Sequence, residues 1–272
     1  MKSAITVSLV PQAKGGPFVF WDGLDAAFKS AQNLGFNAVE IFPPAADALD
    51  AAQIRGLMDK HQLAVAAVGT GGGWVAHQWH LCHPEPEIRS QARSFVRAMI
   101  RRAGELGAPA ILGSMQGRVL PGIEREQALE WLREALSEFD AEASQAGQVF
   151  LYEPLNRYET NLFNRSPDAA AFLDAAGLPN TRILADLFHM NIEEASIPDA
   201  LKASAHRLGH VHFADSNRQA VGFGHTHMPP ILDALRSVNY SGFLSAEILP
   251  LPDSETAARQ TLAAFRALVN PR

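Results

Sequence analysis

Residues 149–154 read VFLYEP, a short apolar run that ends in Glu153 and a proline. An apolar run of this length is typical of a strand that is covered on both faces. Similar runs recur along the chain, and an amphipathic stretch with a helical period follows most of them. The eight predicted strands are Ala4–Val10, Ala38–Phe42, Leu63–Val68, Ala110–Gly113, Val149–Pro154, Thr181–Leu187, Leu208–Ala214 and Gly242–Ile248.

The predicted helices carry start and stop signals. Ser166-Pro167 and Asp253-Ser254 precede helical patterns, and these residue types favour helix N-termini. Glycines stand at positions 35, 107 and 147, where the preceding helices should end. The clearest helical stretches are Trp21–Leu34, Ala48–His61, Glu87–Leu106, Arg125–Ala146 and Glu255–Val269.

Strands that alternate with helices in this way predict an α/β fold, a (β/α)₈ TIM barrel that forms a single domain over residues 1–272. The alternative is an open, doubly wound sheet. Such a sheet often carries a glycine-rich nucleotide-binding turn after its first strand. The first predicted strand is instead followed by PQAKGGPF, residues 11–18, which lacks the G-x-G-x-x-G pattern. We therefore expect the barrel.

Composition and charge exclude several classes of partner. The formal net charge is −6, and the dense basic run from Arg97 to Arg102 lies in a predicted helix, whereas a nucleic-acid surface needs clustered Lys and Arg. No apolar run approaches the roughly 18 residues of a membrane span, and the N-terminus lacks a signal-peptide pattern. The single cysteine, Cys82, rules out an intramolecular disulfide and fits a reducing compartment. We expect a cytoplasmic protein that binds neither nucleic acid nor membrane.

Metal-capable side chains stand at the ends of the last four predicted strands. In a (β/α)₈ barrel the active site lies at the C-terminal ends of the strands. Strand 2 ends in Val39-Glu40-Ile41, which also contains an acid. Strands 5 to 8 bring to the same rim Glu153, Asp186, His212 and Glu247. Three carboxylates and one imidazole suit Mn²⁺, Mg²⁺ or Co²⁺ better than a structural zinc ion. Because a buried carboxylate is costly unless it is paired or metal-bound, we predict one divalent metal ion, although any single residue could instead mark a strand entering solvent.

Three further polar residues lie just beyond the strand ends. Glu159, His189 and Arg218 follow strands 5, 6 and 7 and could bind the hydroxyls of a polar substrate. Each could equally form a loop salt bridge or a helix cap. The loop after strand 8 reads LPLPDSE and contains no basic residue, which favours a free sugar over a sugar phosphate.

The segment HVHFADSNR, residues 210–218, contains two histidines one residue apart. On a strand, His210 and His212 share a face, whereas Asp215 points the other way. We interpret His210 as a core residue or as a neighbour of the metal ligand His212.

The loop after strand 3 is rich in glycine, tryptophan and histidine, and reads GTGGGWVAHQWHLCH from residue 69. Zinc binding by three histidines is one interpretation, but no carboxylate accompanies them and their spacing does not keep to one helical face. We favour a rim or lid loop hinged at glycines 71–73, with its tryptophans stacking on a sugar; a purely structural loop is the alternative. The residues concerned are Trp74, His77, Trp79, His80 and His83.

Four segments carry a resemblance to a known family. They read YEPLNRYETN (152–161), DLFHMNIEE (186–194), HVHFADSNR (210–218) and SAEI (245–248). On these segments the chain resembles the sugar phosphate isomerase/epimerase superfamily, the xylose isomerase-like TIM barrels. Within it, the chain is similar to the ketose 3-epimerases, which act on D-tagatose, D-allulose and L-ribulose.

The resemblance implies an isomerase of carbohydrate metabolism with one bound divalent ion, Mn²⁺ before Mg²⁺ or Co²⁺. It implies as metal ligands Glu153, Asp186, His212 and Glu247. It also implies that Glu153 and Glu247 transfer protons, and that the residues in contact with the sugar are Glu159, His189 and Arg218. A homodimer or homotetramer is implied as well.

The implied reaction is C3 epimerisation of a free ketose. One glutamate removes the C3 proton, the metal ion stabilises the enediolate, and the other glutamate returns a proton to the opposite face. Three alternatives use the same barrel: an aldose–ketose isomerase, a hydroxypyruvate-type isomerase and a keto-inositol (inosose) dehydratase. Phosphodiester hydrolysis of the endonuclease IV type would need a histidine-rich zinc cluster and a basic face, and the net charge of −6 argues against it.

Overall fold

Eight parallel strands close into a barrel in chain order, with the last strand pairing with the first. The description rests on a computed structural model and covers residues 1–269. The closed barrel confirms the predicted (β/α)₈ fold, and the open-sheet alternative is wrong. The strands are β1 (Lys2–Ser8), β2 (Ala38–Phe42), β3 (Ala64–Gly69), β4 (Ala110–Leu112), β5 (Phe150–Tyr152), β6 (Thr181–Asp186), β7 (Leu208–His212) and β8 (Phe243–Ala246).

Helices surround the barrel and cover the outer faces of its strands. They are α1 (Leu24–Leu34), α2 (Ala51–His61), α3 (Gly72–His77), α4 (Pro86–Glu105), α5 (Arg125–Gln145), α6 (Ser166–Ala175), α7 (Leu187–Glu193), α8 (Ile197–Ala203), α9 (Met228–Ser237) and α10 (Ser254–Val269). The short helices α3 and α7 are additions to the predicted pattern, because they follow β3 and β6 in segments that carry no long helical period. Among residues 1–269, no helix is both long and apolar enough to span a bilayer.

Local signals in the sequence set the helix ends. The Asp50 side chain caps α2 by accepting hydrogen bonds from the backbone N–H groups of Ala52 and Gln53, at 2.9 and 3.0 Å. Gly35 and Gly107 follow α1 and α4 with φ angles of 96° and 70°, a conformation that glycine adopts without steric cost. The predicted helix ends at these glycines are therefore confirmed.

Two strands end earlier than predicted, but neighbouring strands still end at the same level of the barrel. β5 and β7 end at Tyr152 and His212, two residues earlier than predicted, because the chain then turns into the rim loops. Asp186 pairs with His212 across β6 and β7, and His212 pairs with Ser245 across β7 and β8. The last side chains of these neighbouring strands therefore lie at the same rim of the barrel.

Cys82 lies fully buried, and its thiol donates to the Ala128 carbonyl at 3.4 Å. Burial raises the pKa of the thiol to about 12, so little thiolate forms near neutral pH. We expect no reaction of the folded protein with iodoacetamide at pH near 8, and complete alkylation in denaturant, both measured by intact mass. Stoichiometric alkylation of the folded protein at the denatured rate would contradict this placement.

Candidate metal centre at the barrel rim

Four side chains from adjacent strands converge at the C-terminal rim. Each offers one ligand atom, and these atoms all lie within 4.8 Å of one another. We call them the rim cluster: Glu153, Asp186, His212 and Glu247. Asp186 and His212 end β6 and β7, whereas Glu153 and Glu247 directly follow β5 and β8. The structure thus brings together all four residues that the strand ends predict.

His212 Nδ1 lies at the middle of the rim cluster. It is 3.3 Å from Asp186 Oδ2, 3.5 Å from Glu153 Oε1 and 3.6 Å from Glu247 Oε2. Ligand atoms about 2.1 Å from an octahedral ion lie about 3 Å apart, so a small contraction would let these four share one cation.

Burial gives the rim cluster a reason to bind a cation. Asp186 and His212 are 1% exposed and Glu153 is 5% exposed, and Glu153 Oε1 is buried without a hydrogen-bond partner. Several carboxylates held close together out of water repel one another and lack solvation. The donor set, three carboxylate oxygens and one imidazole nitrogen, matches the preference of Mn²⁺ and Mg²⁺. The residues present therefore fit a divalent ion.

The pKa values reflect the same crowding. Burial raises the pKa of Glu153 to about 7, and the charges of Glu247 and Asp186 add to that rise. Burial alone would lower the pKa of His212, but Glu40 and Glu247 hold it well above its usual range. A cation bound among these groups would compete with the protons that they hold.

Glu40 contacts the rim cluster from the opposite side of the barrel. Its Oε1 lies 3.0 Å from His212 Nε2, and its Oε2 lies 2.8 Å from His210 Nε2. His210 therefore points into the barrel beside His212, as strand alternation predicts. The link between Glu40 and both histidines was not predicted, and Glu40 is the middle residue of β2 and not its end.

His189 and Glu159 flank the rim cluster and share a partner, Asn156. The Asn156 amide nitrogen lies 2.7 Å from His189 Nδ1 and 3.0 Å from Glu159 Oε1. Its amide oxygen accepts from the Tyr158 backbone N–H at 3.0 Å, which fixes the orientation of the amide. His189 Nδ1 must then accept, so the proton lies on Nε2. Nε2 is buried without a hydrogen-bond partner, 3.8 Å from Glu153 Oε1.

His189 is neutral, because burial lowers its pKa to about 3. It therefore presents one N–H donor to the space beside the rim cluster. Sequence reasoning predicted His189 but missed Asn156, since an asparagine within NRYETN gives no sign of its partner on α7.

Arg218 balances the negative charge of the cluster. Its guanidinium donates to Glu247 Oε2 and lies 3.6 Å from Asp186 Oδ2 and 3.7 Å from Glu159 Oε1. The guanidinium also lies over the Phe188 ring at 4.8 Å. Arg218 has a φ of 58°, a conformation uncommon outside glycine that often marks functional sites.

Asp215 points away from the cluster, as predicted. Its carboxylate accepts from the backbone N–H groups of Ser216, Gly222 and Thr226 at 2.7, 2.8 and 2.9 Å. Asp215 therefore orders the loop after β7, from which Arg218 projects.

A cavity of about 420 Å³ opens above the rim cluster. The charged and polar side chains that line it include Glu153, Glu247, His189, Glu159 and Arg218. Apolar side chains also line the cavity, and we call four of them the aromatic wall: Phe18, Phe42, Trp74 and Val75. The rings of Phe18 and Phe42 stack with centroids 4.3 Å apart. The cavity therefore offers both charged and apolar side chains to one small molecule.

The histidine-containing loop after β3 contributes Trp74 to the aromatic wall, and within the described residues its histidines form no metal site. Within the described residues, His77, His80 and His83 are not among the groups close enough to share an ion. Trp74 lines the cavity as predicted, whereas Trp79 stacks on His77 at 4.2 Å and lines no part of it.

Glycines 71–73 pack tightly, which does not support the expected hinge. A Cβ on Gly72 would lie 2.5 Å from the Pro43 carbonyl oxygen, and one on Gly73 would lie 2.6 Å from Met115 Sδ. These glycines allow α3 to approach its neighbours closely.

Comparisons with known proteins agree on the fold and on the kind of relative. The family described as "Xylose isomerase-like TIM barrel" matches residues 28–268. A D-psicose 3-epimerase from Ruminiclostridium cellulolyticum is 29% identical over 196 residues, 69% of this chain and 67% of that protein. An L-ribulose 3-epimerase from Mesorhizobium japonicum is 36% identical over 152 residues, 55% of this chain and 50% of that protein.

Other relatives act on glycosides. A 3-dehydro-D-guloside 4-epimerase from Escherichia coli is 33% identical over 163 residues, 58% of this chain and 62% of that protein. The aligned segments thus span half to two thirds of these three relatives. The crystal structure of an E. coli 3-keto-D-glucoside 4-epimerase superposes with a TM-score of 0.83 at 23% identity, covering 98% of this chain and 100% of that one. A D-psicose 3-epimerase crystallised in the presence of D-fructose gives 0.80 at 21%, covering 99% of each chain. At these identities the superpositions show a shared fold.

Proposed function

The chain belongs to the xylose isomerase-like TIM barrel family, and from that premise we propose that it is a divalent-metal-dependent sugar epimerase. The proposed reaction inverts C3 of a free ketose. The observation that carries the proposal is the convergence of the rim cluster to within 4.8 Å at one end of the cavity. The names of the ketose 3-epimerase relatives support the same reaction class.

The rim cluster would hold the ion, which we propose to be Mn²⁺, with Mg²⁺ or Co²⁺ as substitutes. The chemistry that such an ion supplies is polarisation of a carbonyl, which acidifies the neighbouring C–H. Glu153 and Glu247 then carry the protons: one carboxylate takes the C3 proton from one face, and the other returns a proton to the opposite face. Their positions after β5 and β8, which are not neighbouring strands, suit an approach from two sides.

Three residues would hold the substrate in position for proton transfer. The His189 Nε2–H would donate to an oxygen near the reacting carbon, since it is a buried donor without a protein partner. Arg218 and Glu159 would bind hydroxyls, one as a donor and the other as an acceptor. The aromatic wall would cover the apolar face of the sugar's far end.

A second candidate is inversion of the carbon beside the ketone of a keto-glycoside. The 3-dehydro-D-guloside 4-epimerase relative supports it, and the proton transfers would be the same. Its substrate carries a second group, which the aromatic wall could hold.

The test is a screen of the Mn²⁺-loaded protein in D₂O with product NMR. The substrates are free ketoses, ketose phosphates, a 3-keto-glucoside, aldoses and a keto-inositol. We expect a ketose epimer with deuterium at the inverted carbon. An aldose product would make the protein an aldose–ketose isomerase, and an unsaturated product with loss of water would make it a dehydratase; either would contradict the proposal.

Replacing Asn156 with alanine is expected to lower kcat/KM by about 10²-fold, because His189 loses the bond that holds its ring and its tautomer. The ¹⁵N signals of His189 should show mixed tautomers. The control is Asn161→Ala in the same loop, whose side chain instead contacts Val119. Unchanged kcat/KM in the Asn156 variant, or an equal loss in the control, would count against this role.

A further inference from the structure

Glu40 is a buried acid that the proposed reaction does not use. It is 4% exposed, and its two carboxylate oxygens face His210 Nε2 at 2.8 Å and His212 Nε2 at 3.0 Å. Glu40 projects from β2, and the histidines project from β7, so the contacts cross the interior of the barrel.

The direction of these hydrogen bonds follows from chemistry. Each Glu40 oxygen faces one imidazole nitrogen at hydrogen-bond distance, an arrangement that suits a carboxylate receiving two N–H groups. An ionised carboxylate only accepts hydrogen bonds. Both Nε2 atoms must therefore carry a proton. In the ion-binding form of His212, the lone pair then lies on Nδ1, the atom that faces the three carboxylates of the rim cluster.

Irregular strand pairing accompanies both sides of this contact. The register of β2 with β3 shifts between Val39 and Ile41, at Glu40. The register of β6 with β7 shifts where Gly209 intervenes, directly before His210. Such irregularities redirect side chains and occur next to functional sites.

We propose that Glu40, held in place by His210, positions His212 as a metal ligand by fixing its proton on Nε2 and its lone pair on Nδ1. The inference rests on the metal centre proposed above. A carboxylate that accepts from the far nitrogen of a ligating histidine sets the ring orientation and makes the ligand more basic, and its loss weakens metal binding by about 10–100-fold. Glu40 is thus a positioning residue, which acts through His212.

Glu40→Gln tests the proposal, because an amide offers one acceptor where two N–H groups require two. One histidine must then change its tautomer or lose its bond. We expect Mn²⁺ affinity, measured by competition with a fluorescent chelator, to fall about 10–100-fold. His210→Phe removes one of the two donors and should change the affinity much less.

The double variant Glu40→Gln/His210→Phe separates tautomer control from simple loss of charge. In it, the single amide oxygen is free to accept from His212, so Mn²⁺ affinity should recover most of the loss. A double variant that binds as weakly as Glu40→Gln would mean that only the charge of Glu40 matters, and the proposal would be wrong. Equal affinity of Glu40→Gln and wild type would also overturn it, while leaving the metal centre intact.

A measurement on the wild-type protein does not depend on any variant folding. In the Mg²⁺-loaded protein, ¹⁵N NMR should show His212 protonated on Nε2 and not on Nδ1. A proton on Nδ1 in the loaded protein would overturn the proposal. Wild-type protein that binds neither ion would overturn the metal centre itself, and the role of Glu40 with it.

Discussion

Replacing Glu153 or Glu247 with glutamine is expected to lower kcat by about 10²–10⁴-fold in each case, the range that one positioned proton-transfer group contributes. Glutamine keeps the shape of the side chain but cannot take up or return the proton. The protein should remain folded, because neutralising one of three crowded carboxylates relieves repulsion. The measurements are kcat, KM and the melting temperature of each variant.

A matched control is Glu138→Gln on α5, whose carboxylate pairs with Arg93 at 3.0 Å on the outer surface. It should keep wild-type kcat. The Mn²⁺ content of each variant distinguishes loss of the ion from loss of proton transfer, because a variant that retains the ion and lacks turnover has lost the proton step alone. Near-wild-type turnover by folded Glu153→Gln or Glu247→Gln would show that the two-glutamate mechanism is wrong.

Removing the divalent ion is expected to abolish turnover and to destabilise the fold. An ion at one hundred times its Kd adds about 2.7 kcal/mol to the free energy of unfolding. For a chain of this size that corresponds to a rise in melting temperature of about 5–10 °C. Asp186→Asn should remove the ion-dependent rise, since Asp186 is 1% exposed and lies 3.3 Å from His212 Nδ1.

The control here is Asp174→Asn, which removes a surface partner of Arg207 and should keep the ion-dependent rise. Because protons compete with the cation for Glu153, whose pKa is about 7, the rise should shrink as the pH falls through that value. An equal rise in Asp186→Asn and wild type would place the ion elsewhere.

The fold and the rim cluster could be predicted from the sequence for the same physical reason. A strand covered on both faces must be apolar throughout, so an acid such as Glu153 or Asp186 at its end stands out. Parallel strands in a barrel end at one rim, so side chains at those ends lie close together without any knowledge of distances. The convergence of these four side chains therefore followed from topology.

Partners across the barrel could not be predicted in this way. Glu40 lies 172 residues before His212 in the chain, and their contact depends on barrel closure and on register shifts near both residues. Asn156 gave no signal because an amide in a loop has many potential partners. Trp74 lies on α3 and lines the cavity, whereas Trp79 follows α3 and stacks on His77. The close packing of glycines 71–73 depends on neighbours such as Pro43 and Met115, which are distant in sequence.

The early time course of deuterium incorporation at the substrate's reacting carbon tests whether two glutamates transfer the proton on opposite faces. The Mn²⁺-loaded protein is incubated with the active keto sugar in D₂O, and the substrate and its epimer are both recovered before equilibrium. Because separate carboxylates serve the two faces, the epimer should carry one deuteron at the inverted carbon while the recovered substrate carries almost none. An epimer that retains the original hydrogen, or substrate that gains deuterium as fast as the epimer forms, would contradict proton transfer by Glu153 and Glu247 on opposite faces.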